Sequence, residues 1–202
     1  MLDLPVIDDP GTEFVYNSGG AILLSGILAN KTGQSAEEFA EDNLFNALGI
    51  SNWEWEAGPN EITNASWGLS LHPVNMAMFG YLYLKNGLLN GEQVVSEDWV
   101  NESTSNHIVV PDFIDVQDPY GYQWWMLNGY KHWDPMLVPR GLPKPPPGTE
   151  GAYNATGYGG QLILVLPNLN MVLVSTAEDF DDFQVPKYEM LLDYILPALK
   201  EN

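Results

Sequence analysis

The sequence predicts an α+β fold in which helices come first, antiparallel strands second and a single helix last. Three observations carry this reading. Apolar residues recur at helical spacing behind capping signals as far as about Thr104. From Tyr120 to Thr176, short aromatic and aliphatic runs are separated by proline- and glycine-rich breaks. The last stretch, Pro186 to Lys200, is again amphipathic, with Tyr188, Leu191, Leu192 and Ile195 on one face.

Met1 to Glu13 reads as loop, punctuated by Pro5, Pro10 and Gly11. A helix is expected from about Gly20 to Lys31, carrying Ile22, Leu23, Ile27 and Leu28 and stopped by Gly33. Ser35 with Glu38 forms a capping box that opens a second helix to about Leu48, ended by Gly49. Asn52 to Asn64 is expected to be a Trp-bearing loop. Pro73 then starts a helix through about Lys85, with Met76, Phe79, Leu82 and Tyr83 inward. Ser96, followed by Glu97 and Asp98, opens a short helix to about Thr104. Beyond it, Tyr120 to Leu127 is β-prone and Trp133 to Gly148 is a proline-rich excursion. Gln161–Leu166 and Met171–Thr176, joined by Pro167-Asn168-Leu169-Asn170, read as a hairpin. One domain is expected over 1–202, mainly helical over 1–119 and sheet plus C-terminal helix over 120–202.

The 202 residues suffice for one ordinary core, and 45% hydrophobic with 17% charged residues is a globular composition. Seven Lys+Arg against 27 Asp+Glu leave a net charge of −20. Such a chain lacks the basic cluster that nucleic acid or an anionic membrane surface requires, so neither is expected as a partner. The same charge suits a salty or extracytoplasmic setting. With no cysteine, disulfides, thiolate metal sites and a Cys nucleophile are excluded. No apolar run approaches the ~20 residues that span a bilayer. Met1-Leu2-Asp3-Leu4-Pro5 has neither basic n-region nor long h-region, so no signal peptide is expected.

Several chemistries find no support. The G-x-S-x-G elbow does not occur, and His72, His107 and His132 stand at no metal-ligand spacing. Asp179, Asp181 and Asp182 lack the ordered spacing of a calcium loop and read as a solvated turn. The seven tryptophans suit core filling better than a sugar platform. No metal or cofactor is expected. Two segments are more informative. In Phe14-Val15-Tyr16-Asn17-Ser18-Gly19-Gly20 a loop delivers Tyr16 just ahead of a helix, where it could serve as a base or merely pack. In Tyr153-Asn154-Ala155-Thr156-Gly157-Tyr158-Gly159-Gly160-Gln161 the glycines let a substrate reach main-chain N–H groups, or simply turn a hairpin.

Phe14 to Gly19, followed by an apolar helix and Lys31-Thr32-Gly33-Gln34-Ser35, resembles the serine β-lactamase/penicillin-binding-protein-like hydrolases. The nearest likeness is to class C β-lactamase-like esterases and 6-aminohexanoate-dimer hydrolases. Leu44 to Ile50, Trp67 to Pro73, Phe79 to Leu84, Ser96 to Val100, Tyr120 to Trp125 and Ala155 to Gln161 continue it in order, over nearly the whole chain. The resemblance implies a β-lactamase/transpeptidase-like fold and an ester or amide substrate cleaved through an acyl-enzyme. Tyr16 matches the family's motif tyrosine and would relay the proton. Tyr158 would supply an oxyanion-hole N–H. Ser18, Ala155, Thr156, Gly157 and Gly159 would contact substrate, with Ala155 standing where the family's K-T-G lysine does. The literal Lys31-Thr32-Gly33 ends a helix and is expected to be a coincidence.

One element of the pattern is absent: no serine here is followed three positions later by lysine. The chain is therefore expected to be the C-terminal portion of a family member, an incomplete domain that is inactive alone. A homodimer, or a complementing N-terminal segment that supplies Ser and Lys, is the expected macromolecular partner. The rival expectation is a non-catalytic protein that uses the same cleft to hold a peptide or glycan. The family is compatible with an extracytoplasmic setting.

Overall fold

The computed structural model describes residues 5–109, 119–127, 145–178, 180 and 185–199. Most of the proline-rich excursion and the Asp179, Asp181 and Asp182 turn lie outside those residues. Asn17 and Gly33 bound the first helix, α1 (Ser18–Thr32); Gly33 takes the left-handed conformation (φ 77) and donates its N–H to the Ala29 carbonyl. The Ser35–Glu38 capping box is formed in full and opens α2, which runs through Ala36–Ala40, a π-turn at Glu41–Phe45 and Asn46–Leu48. Gly49 closes it at φ 69. Pro73–Leu84 is α3, Glu97–Ser103 is α4 with Ser96 capping it, and α5 comprises Val185–Met190, a π-turn at Leu191–Ile195 and Leu196–Leu199.

Asn52–Asn64 departs from expectation. Trp53–Trp55 forms strand β1, paired antiparallel with β2 (Leu69–Leu71). Trp53 and Trp55 turn inward onto Phe45, at ring separations of 5.0 and 6.3 Å, while Glu54 points outward. Their indole N–H groups are satisfied by the Glu37 carboxylate (3.1 Å) and the Asn64 carbonyl (2.8 Å). Period-two alternation backed by hydrogen-bonded indoles makes this a strand rather than a loop. A second small antiparallel hairpin, β3 (Leu88–Leu89) with β4 (Glu92–Gln93), follows α3.

The main sheet has six strands in the order β10-β9-β8-β7-β6-β5, every pair antiparallel. They are β5 (Ile108–Val109), β6 (Pro119–Tyr120), β7 (Trp125–Met126), β8 (Tyr153–Gly157), β9 (Gln161–Leu166) and β10 (Met171–Ser175). Both of its faces are covered. Leu162, Leu164 and Leu166 meet Tyr188, Leu191 and Leu192 of α5 in one core. On the other face Tyr153 and Val165 pack with Trp124, Met126, Tyr83 and Val100. A third core joins Phe45, Leu48, Ile50, Leu82 and Leu89. Successive residues of β9 feed opposite cores, so its near-continuous apolar sequence reports a strand buried on both faces. This mixed helix and antiparallel-sheet architecture, closed by a C-terminal helix, is the predicted fold class. Among the described residues no helix is long and apolar enough to cross a membrane.

Candidate active site

Tyr16 stands immediately before the α1 cap. Asn17 has extended backbone (φ −141, ψ 111), and its Oδ1 accepts the N–H groups of Gly19 (2.7 Å) and Gly20 (3.2 Å). That cap satisfies two of the helix's otherwise open donors and fixes the direction of the chain just after Tyr16. Upstream, Phe14 and Tyr16 turn toward the sheet, while Val15 between them is 68% exposed. The Tyr16 ring stacks on Trp125 at 6.0 Å and lies 6.5 Å from Tyr120 and 6.4 Å from Phe14. Phe14–Tyr120 and Tyr120–Trp125 contacts of 5.3 and 4.6 Å close a four-ring cluster. Tyr16 remains 54% exposed, so its ring is anchored on one side and open on the other. Burial, with Tyr16 nearby, pushes the Tyr120 phenol well above its ordinary value. Tyr120 therefore stays neutral and donates to Gln123 Oε1 at 3.2 Å.

The second half of the site is the end of β8. Gly157 pairs with Gln161 across the turn Tyr158-Gly159-Gly160, where Gly159 and Gly160 have φ of 77 and 104. Both are positive-φ positions that suit glycine. Trp125 is the register partner of Asn154 and so shares its face, and Thr156, two residues on, shares that face as well. Tyr16, which stacks on Trp125, is thus brought to the face of Thr156. Ala155 points to the opposite face, against the Trp124–Tyr153 core. The Tyr158 amide lies four residues beyond Asn154, about 13 Å along the strand. Ser18 is the exposed first residue of α1. Lys31 falls in the last turn of the same helix, on the order of 20 Å from Tyr16 by its fifteen-residue length.

A beta-lactamase family model matches residues 1–192. The chain belongs to the beta-lactamase family. An uncharacterized protein of Alkalihalophilus pseudofirmus is 27% identical over 190 residues, covering 84% of this chain and 53% of that protein. Among solved structures, a Bacillus anthracis protein described as a candidate 6-aminohexanoate-dimer hydrolase superposes with a TM-score of 0.76 at 24% identity, over 96% of this chain and 46% of that one. A class C beta-lactamase superposes with a TM-score of 0.65 at 18% identity, over 99% and 61%. These likenesses carry the fold. The chain spans about half the length of the first two relatives.

Two features of this beta-lactamase-family site were not read from the sequence. One is the cluster that Phe14, Tyr120 and Trp125 build around Tyr16; its signal was the Phe-x-Tyr alternation opposite an aromatic hairpin. The other is Phe180, whose ring lies 5.1 Å from that of Tyr158. An apolar ring inside an acidic stretch was the available cue.

Proposed function

We propose that this chain forms the substrate-facing part of a serine ester or amide hydrolase that works through an acyl-enzyme. The observation that supports it is the placement of Tyr16 and Thr156 on one sheet face, with β8 running on to an amide-bearing glycine turn. Tyr16 would pass the nucleophile's proton onward, and the Tyr158 N–H would take the negative charge that develops on the carbonyl oxygen. Thr156, Gly157 and Gly159 would border the bound acyl group, with Ser18 and Ala155 at the margins. The nucleophile would come from a segment carrying Ser-x-x-Lys, since no such motif stands in these residues.

The chain alone is accordingly inactive. Incubated with a fluorescent serine-directed phosphonate, it should remain unlabelled, and nitrocefin and short-chain p-nitrophenyl esters should turn over at the buffer rate. A burst releasing one acyl group per chain would overturn this assignment and require another nucleophile.

A further inference from the structure

The segment after β10 folds back over the glycine turn and is fastened there. Ser175 Oγ donates to the Gly160 carbonyl at 3.1 Å, and Gln161 Nε2 donates to the Ala177 carbonyl. Three residues later Phe180 lies directly over Gly159: a Cβ at that glycine would sit 2.7 Å from Phe180 Cε1. The Phe180 ring also meets the Tyr158 ring, tilted by 36°. Yet Phe180 is 56% and Tyr158 68% exposed. Two large rings are therefore held in a fixed relation beside the candidate oxyanion amide, with much of their surface facing water.

The charges around this pair narrow what it can hold. Lys85 is engaged elsewhere: its Nζ lies 2.6 Å from Asn170 Oδ1. Asn170 adjoins the far end of β9, six residues and about 20 Å from the glycine turn. In a chain of net charge −20, a carboxylate-bearing ligand approaches against an overall negative field. An uncharged flat group, by contrast, gains offset or edge contacts with both rings.

We infer that Tyr158 and Phe180 form a binding wall for an uncharged aryl group of the ester or amide substrate. This rests on the site proposed above and adds its specificity. Gly159 is what allows the wall, because any side chain there would displace Phe180.

The test is an NMR titration of the isotope-labelled chain with ethyl phenylacetate, ethyl acetate and phenylacetate anion. Ethyl phenylacetate should shift the Gly157, Gly159 and Phe180 signals and bind at least about tenfold more tightly than either comparator. Phe180→Ala should weaken it about three- to tenfold, while Phe180→Tyr, which keeps the ring, leaves it unchanged. Ethyl phenylacetate that still shifts Gly157 and Gly159 but binds Phe180→Ala with undiminished affinity overturns the wall and spares the site. Equal affinity for ethyl acetate does the same. If no ester moves Gly157 or Gly159, the site assignment falls, and the wall with it.

Discussion

Asn17 does two jobs with one side chain: it closes the N-terminus of α1 and sets the exit direction of Tyr16. Asn17→Ala should lower stability by about 0.5–2 kcal/mol. The Tyr16–Trp125 stack should loosen with it, read as altered near-ultraviolet dichroism. An unchanged spectrum would mean that the aromatic cluster alone orients Tyr16. Lys31 provides the contrast. It lies in the last turn, where its charge complements the carbonyl end of the helix. Lys31→Ala should cost no more than about 0.3–1 kcal/mol and leave ester binding intact; a large binding loss in a folded variant would bring Lys31 into the site. At this scale the sequence was readable wherever the partner is local. Ser35 and Glu38 are three apart, and their capping box formed as expected. The contact between Phe180 and Gly159, twenty-one residues apart, depends on how the chain returns after β10 and leaves no spacing rule behind.

The same contrast of local and distant partners separates the elements. The β9–β10 hairpin was legible because two apolar runs flank Pro167–Asn170, and Asn170 takes the left-handed conformation that closes the turn. Strand β1 was not legible: it has three residues, and its partner β2 begins fourteen residues after it ends. Within Asn52–Asn64 the period-two signal is only the three residues Trp53-Glu54-Trp55, too short to mark a strand until Trp53 and Trp55 find Phe45. Helix α3 shows packing at the limit of close approach. Gly80 faces the sheet, and a Cβ there would lie 2.6 Å from Val172 Cγ1 and 2.9 Å from Ile163 Cγ2. Alanine is the better helix former by up to about 1 kcal/mol, but overpacking costs about 1–3 kcal/mol. Gly80→Ala should therefore lower the urea midpoint, with a net loss of about 1–2 kcal/mol. A variant as stable as the parent would show that α3 can lift from the sheet without penalty.

For the whole molecule, the decisive balance is between the β10 edge of the sheet and a large net charge. Strand β10 ends the sheet, and among the described residues no strand pairs with its outer side. Edge strands are ordinarily shielded by charged residues, proline or a bulge. Met171–Ser175 has neither charge nor proline, and its five residues pair with Leu166–Leu162 without a break. Its side chains are already engaged: Val172 packs toward α3, Met171 and Leu173 toward the α5 core. Among the described residues its outer row of main-chain N–H and C=O groups has no strand partner, and an antiparallel copy of the same strand would match it. Opposing this, each chain carries a charge of −20. Repulsion between dispersed surface charges is screened beyond about 8 Å at physiological salt, whereas strand pairing acts at about 5 Å and is not screened. Leu24 and Ile27 of α1, 56% and 58% exposed, add apolar area that favours association at about 25 cal/mol per Å² covered. The chain should therefore form a reversible dimer that tightens as salt rises, seen as a concentration-dependent sedimentation coefficient. A monomer that unfolds cooperatively and sediments identically at low and high salt would refute this, and would mean that twist or solvation protects the β10 edge without a partner.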